Sequence, residues 1–190
     1  SIIGNLVDKF IEKYAFPAIR ANALYSEKYP LSTALARPLI AENLVEIARE
    51  LKANAVAHGC TGKGNDQVRF DLAINSLGPD LTIITPAREW NMSREQAILY
   101  GEKYGIPAPV SKKSPYSIDA NILGRSIEAG LLEDPMQEPN EEIFKMTSSI
   151  NDSPDLSKDI EVIFKNGFPV AIDNESLTPL EIIKKANALA

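Results

Sequence analysis

The chain has 190 residues, 44% hydrophobic and 24% charged, the balance of a soluble globular protein with one core or two modest ones rather than a peptide or a disordered tail. With 26 acidic against 20 basic side chains, the formal charge of -6 argues against nucleic acid as a partner, because that affinity rests on Lys and Arg neutralising phosphates. A single cysteine, Cys60, excludes an internal disulfide framework and suits a reducing, cytoplasmic compartment, and no apolar run approaches the roughly 20 residues of a membrane helix. The chain opens on Ser1 rather than methionine, and removal of upstream material is an expectation.

Residues 1 to 53 read as mainly helical, with Ile40, Leu44, Ile47 and Leu51 spaced to present one face to a core. Asn54 to His58 is a short apolar run expected to be a buried strand, and it leads into Gly59-Cys60-Thr61-Gly62-Lys63-Gly64-Asn65-Asp66. Phe70, Ala73, Ile74 and Leu77 then recur on one helical face, with Asn65 or Asp66 available as the N-cap. Leu81 to Thr85 reads as a second buried strand. Ser93-Arg94-Glu95-Gln96 has the form of a capping box opening a helix that Gly105 can end. Strands alternating with helices predict an α/β layer with a parallel sheet.

Between Ile106 and Ser117 the composition changes: Pro107, Pro109 and Pro115 stand among Lys112, Lys113 and several serines, and a domain boundary is expected there. The lysine pair reads as a solvated linker face or as an aid to phosphate binding. Beyond it, Ile160 to Phe164 and Phe168 to Ile172 flank Asn166-Gly167, the two-residue connection of a type I′ hairpin. Thr178-Pro179-Leu180-Glu181 combines an N-cap, a proline at N1 and a glutamate at N3, so a helix is expected from there to Ala190.

The chemistry concentrates between Gly59 and Arg69. Three glycines let backbone N–H groups approach an anion, and the following helix aims its positive end at the same place. It is not a Walker A loop, since Asn65 stands where the lysine belongs; Gln67 in place of a third glycine excludes the dinucleotide fingerprint. A glycine-rich turn serving geometry alone remains an alternative. Against it stands the crowding of Thr61, Lys63, Asn65, Asp66, Gln67 and Arg69. Asp66 can accept from an ammonium, Asn65 can donate and accept, and Arg69 can hold a carboxylate in bidentate fashion, a set suited to amino-acid-like ligands. For Arg69 the alternative is a solvated helix face. His58, the sole histidine, reads as a hydrogen-bonded structural residue rather than a proton carrier. Cys60 lacks an orienting partner for nucleophilic work, and no metal-ligand spacing occurs. Trp90 and Tyr104 read as core or interface aromatics.

Five stretches carry a resemblance: Phe16-Pro17-Ala18-Ile19, Ala34-Leu35-Ala36-Arg37-Pro38, the run from His58 to Phe70, Pro86-Ala87-Arg88-Glu89-Trp90, and Ser114-Pro115-Tyr116-Ser117-Ile118-Asp119. Through them the chain resembles the argininosuccinate synthases over essentially its whole length. The resemblance implies an α/β fold: a parallel-sheet nucleotide-binding domain of the adenine nucleotide alpha hydrolase type over residues 1–107, without its first strand and phosphate loop. The start of an α+β synthetase and multimerisation domain would follow over 108–190, with ligands in the cleft between. It also implies a ligase that joins citrulline to aspartate through citrullyl-AMP, with ATP as substrate, Mg²⁺ carried by the nucleotide, and a cytoplasmic homotetramer in arginine biosynthesis.

The residues it implies are Gly59 for ATP, Thr61, Asn65 and Asp66 for aspartate, and Tyr29, Thr33, Asn65, Arg69, Ser117 and Ser126 for citrulline. No side chain is singled out for covalent work, no protein-held metal, nucleic acid or membrane is expected, and an internal piece lacking both ends is expected to be inactive alone. The alternatives are a chain that binds citrulline, aspartate or nucleotide without turnover, and an oligomer-forming scaffold.

Overall fold

The computed structural model describes residues 1–92, 94–106 and 116–189. The expected proline-rich boundary with Pro107, Pro109, Lys112, Lys113 and Pro115, the capping serine Ser93 and the terminal Ala190 lie outside the described residues. Two compact units form, Ser1–Ala36 with Pro115–Ala190, and Arg37–Ser114.

In the Arg37–Ser114 unit, helix α3 (Ala36–Glu50), strand β1 (Ala55–Ala57), helix α4 (Asp66–Leu77) and strand β2 (Thr82–Ile84) follow one another. β1 and β2 pair in parallel with Val56 opposite Ile83, so α4 is the crossover of a βαβ unit. The core gathers Ala41, Val45 and Ala48 of α3 with Val56, Ile74 and Leu81, and Leu44, Phe70, Ala73 and Ile83 pack at its edge.

Three sequence expectations need correction here. The buried face of α3 runs through positions 41, 45 and 48, while Ile40 is 41% and Leu51 65% exposed. The two stripes lie about 100° apart, and the small side chains at 41 and 48 let α3 approach the sheet more closely than the larger ones could. The strands are buried on one face only, since Ala57, Thr82 and Ile84 on the other face are exposed. In α4, Leu77 is exposed while its carbonyl accepts a bond from Arg49 at 2.9 Å. After β2 come short helix α5 (Pro86–Glu89) and helix α6 (Arg94–Lys103). Gly105 ends α6 at φ +63°, and Ile106 N donates to the Gly101 carbonyl at 2.8 Å. Trp90 and Tyr104 are 55% and 57% exposed and so stand outside the core; with Tyr100 between them they form a row of rings at 5.7 and 4.6 Å.

The other unit opens with helix α1 (Val7–Phe10), a π turn (Ile11–Ala15) and helix α2 (Phe16–Arg20). Pro17 cannot donate to the Lys13 carbonyl and its ring crowds that position, which the wider π turn relieves. Residues 21–35 are turns rather than the expected helix, with positive φ at Asn22, Ser26, Glu27 and Leu31. Strands β3 (Ser117–Ala120) and β4 (Arg125–Glu128) make an antiparallel hairpin that periodicity did not signal, closed by Asn121 Oδ1 accepting from Leu123 N and Gly124 N at 2.9 and 3.2 Å.

Strands β5 (Val162–Lys165), β6 (Phe168–Ile172) and β7 (Glu175–Ser176) form a second antiparallel sheet, covered by helix α7 (Pro179–Leu189). Asn166 and Gly167 have φ +54° and +82°, the expected type I′ connection, and Asp173-Asn174 repeats it between β6 and β7. The capping box at α7 is formed: Glu181 Oε2 accepts from Thr178 N and Oγ1 at 2.8 and 2.7 Å, and Thr178 Oγ1 accepts from Glu181 N at 3.4 Å. Phe16 stacks on Phe168 at 6.2 Å, with the Arg20 guanidinium 5.0 Å above the same ring.

Gly167→Ala is expected to cost about 1 to 2 kcal/mol, because a side chain there sits in the left-handed region and its Cβ would meet Arg20 Cγ at 2.9 Å. A urea midpoint equal to wild type would contradict the turn assignment.

Candidate functional site

The turn between β1 and α4 lies at the carboxyl end of a parallel strand, where α/β sheets present ligand sites. His58 N extends the pairing by donating to the Ile84 carbonyl at 3.1 Å, and the chain then passes through Gly59, Gly62 and Gly64. None of the three has a positive φ, and a Cβ built on any of them meets nothing within 4 Å. Among the described residues, neither backbone conformation nor packing calls for glycine there. What the missing side chains leave is open space beside exposed peptide groups, the form of a cradle for another molecule. Thr61 also borders a cavity of about 500 Å³ walled in part by Pro86, Ala87, Trp90 and Tyr100.

At the start of α4, Asp66 lies between two guanidinium groups. Arg37 Nε donates to its Oδ2 and Arg69 Nη1 to its Oδ1, both at 2.7 Å. Burial by itself pushes the Asp66 carboxyl up, but the hydrogen bonds and charges of Arg37 and Arg69 outweigh it and hold the group below the usual carboxylate range. Asn65 is the N-cap residue by position, yet its side chain makes no capping bond. Arg37 was not among the expected site residues. It lies 29 positions from Asp66 on another helix, and only its place in the stretch Ala34 to Pro38 hinted at it.

Below the turn a second network is built on Asp71. His58, only 6% exposed in its side chain, meets Asp71 Oδ1 through Nε2 at 2.8 Å and accepts from Cys60 N through Nδ1 at 3.3 Å. That pattern makes Nε2 the protonated nitrogen of a neutral ring. Arg88 donates to both oxygens of Asp71, at 2.8 and 3.3 Å, and to Gln67 Oε1 at 2.9 Å. Burial pushes the Asp71 carboxyl up, and the hydrogen bonds from Arg88 and His58 together with the Arg88 charge more than reverse that. For the Cys60 thiol, burial first and then the Asp66 charge raise the pKa, so it is held as a thiol, unsuited to nucleophilic attack. Among the described residues no group of three or more His, Cys, Asp or Glu is arranged to hold a metal, and no helix is long and apolar enough to cross a membrane.

In the other unit the structure brings together three of the expected residues. Tyr29 Oη and Ser126 Oγ lie 2.5 Å apart, and Thr33 Oγ1 is 3.3 Å from the same Oγ. Ser117 and Ser126 share one face of the β3–β4 hairpin, since Ser117 pairs with Glu128 and Asp119 with Ser126. Gly59, Thr61, Asn65, Asp66 and Arg69 all stand on the turn and first helical turn of the Arg37–Ser114 unit.

Because both Asp66 and Asp71 have folded-state pKa values below their unfolded value, the stability they add is complete above the ordinary carboxylate pKa of about 3.9. It is lost as pH falls through that value towards the lowered ones. Thermal unfolding of wild type and Asp71→Asn is therefore expected to differ most near neutral pH and to converge in acid; a gap that stays constant to about pH 2 would contradict the ion pair.

A parallel βαβ unit whose glycine turn opens beside paired arginines is the frame of a nucleotide-binding α/β domain, and residues 1–107 match the family description "Arginosuccinate synthase N-terminal HUP domain". Residues 116–190 match "Arginosuccinate synthase C-terminal domain". The chain belongs to the argininosuccinate synthase family. It is 82% identical over all 190 residues to the argininosuccinate synthases of Prochlorococcus marinus strains MIT 9515 and MIT 9312, and 69% identical to that of strain NATL1A. It spans about half the length of these curated relatives, 47% of the first two and 48% of the third.

Proposed function

We propose that the chain is the part of an argininosuccinate synthase that receives both amino-acid substrates. The reaction is ATP-dependent ligation of L-citrulline and L-aspartate in arginine biosynthesis. The citrulline ureido oxygen attacks the α-phosphorus and pyrophosphate leaves; the aspartate amine then displaces AMP from citrullyl-AMP to give argininosuccinate. The observation that carries this reading is the 82% identity to argininosuccinate synthases across the whole chain.

The residue roles are those the family resemblance implies, and the hydrogen bonds around Asp66 and Arg69 support the roles given to these two. Gly59 would lie against the nucleotide, whose Mg²⁺ comes with its phosphates. Thr61, Asn65 and Asp66 would receive aspartate. Each Asp66 oxygen has given one lone pair to an arginine and keeps another for an ammonium group. Arg69 spends one Nη on Asp66 and retains donors for the citrulline carboxylate, to which Asn65, Tyr29, Thr33, Ser117 and Ser126 would add hydrogen bonds. Rate enhancement would come chiefly from positioning two substrates against an activated phosphate. A cytoplasmic, tetrameric assembly belongs to the same proposal.

The test is pyrophosphate release by the complete polypeptide. Continued release is expected to require ATP, citrulline and aspartate together and to stop after a single turnover without aspartate, whereas release that persists when citrulline is omitted would refute the assignment.

A further inference from the structure

We infer that the Asp71–Arg88 ion pair is a positioning device that sets the shape of the glycine turn, a role resting on the reading of that turn as a ligand cradle. Two hydrogen-bonded threads leave the turn and end on this pair. From Cys60, the backbone N–H donates to His58 Nδ1 at 3.3 Å and His58 Nε2 donates to Asp71 Oδ1 at 2.8 Å. From Gly62, the carbonyl accepts from Gln67 Nε2 at 2.8 Å, while Gln67 Oε1 accepts from Arg88 Nη1 at 2.9 Å. Arg88 closes the figure on Asp71 at 2.8 and 3.3 Å.

Packing against the glycines does not do this work, because among the described residues beyond their chain neighbours no atom lies within 4 Å of where a Cβ of Gly59, Gly62 or Gly64 would be. The turn is therefore held by hydrogen bonds from below and left open above. The pair also ties together the turns that follow β1 and β2, since Arg88 lies on α5 directly after β2. Only a forked guanidinium reaches two acceptors in fixed relative directions. Arg88 Nη1 serves both Asp71 and Gln67 while Nη2 takes the second oxygen of Asp71; a lysine, with one nitrogen and no planar fork, loses the two-pronged grip on Asp71 that aims Nη1 at Gln67.

The experiment compares wild type, Arg88→Lys and Arg88→Gln in the complete polypeptide. Amide hydrogen exchange is read across residues 59–64 and, as a control, across β1 and the middle of α4. Arg88→Lys, which keeps the charge and the fold, is expected to speed exchange in the turn at least tenfold while leaving the control amides unchanged. It is also expected to raise KM for aspartate more than it lowers kcat, with a loss in kcat/KM of about 100-fold, as a displacement near 1 Å at a substrate-positioning group produces. Should Arg88→Gln fail to fold, Arg88→Lys decides alone. Turn exchange equal to wild type in Arg88→Lys would overturn the inference, as would acceleration spread evenly over turn, strand and helix, which is what a merely structural role produces. The exchange arm needs no substrate, so an inactive wild type would sink the proposed reaction without touching the result for Arg88.

Discussion

Arg69→Ala in the complete polypeptide is expected to lower kcat/KM for citrulline by roughly 2 to 5 kcal/mol, the cost of truncating one partner of a buried charge pair. With its side chain about a third exposed, Arg69 belongs in the lower half of that range, near 30-fold to a few hundred-fold. The variant leaves Asp66 bound to Arg37 at 2.7 Å, so the carboxylate stays charged and the effect on aspartate is smaller. Asp66→Asn reverses the order, striking aspartate harder than citrulline. Because Arg69 and Asp66 touch, the double variant is expected to fall short of the sum of the two losses. An unchanged kcat/KM for citrulline in Arg69→Ala would remove this residue from the site.

Ile74→Ala is expected to destabilise the Arg37–Ser114 unit by about 2 to 5 kcal/mol, the range for deleting most of a fully buried aliphatic side chain. Ile74 has no solvent exposure and belongs to the core cluster with Val45 of α3, Val56 of β1 and Leu81 just before β2. Against a total of roughly 5 to 15 kcal/mol for an ordinary domain, that is enough to change the folded fraction measurably at modest urea. Trp90, the sole tryptophan, lies in this unit and reports its unfolding by fluorescence. Leu72→Ala, on the exposed side of α4, is the matched control and should shift the midpoint little. Equal shifts in the two variants would place the core elsewhere.

The two variants probe different layers of one design. Ile74 anchors the middle of α4 on the sheet, and that fixes where the first turn of the helix presents Asp66 and Arg69. A loosened α4 would blur the site without removing any of its groups. For that reason Ile74→Ala is also expected to affect both substrates alike, where Arg69→Ala separates them.

Parts of this arrangement were readable along the chain because their causes are local. The positive φ angles demanded by Asn166-Gly167, the reciprocal bonds of Thr178 and Glu181, the left-handed stop at Gly105 and the apolar runs of β1 and β2 each depend on residues within a few positions. The glycine turn and its polar crowding were legible in the same way, down to Asp66 and Arg69. Tyr29, Thr33 and Ser126 entered only through the family resemblance, since no spacing rule links residues 97 positions apart.

Tertiary structure decided the rest. It chose the Ala41, Val45 and Ala48 stripe of α3 over its bulkier neighbour, because burial follows how closely backbones can approach. It brought Arg37 to Asp66 and Arg88 to Asp71, and so determined which carboxylates are held below their usual range and what lies beneath the turn. Sequence by itself set the local conformations and the kinds of chemical group on offer; which of those groups meet depended on packing, since side-chain electrostatics act through space over a few ångströms and take no account of distance along the chain.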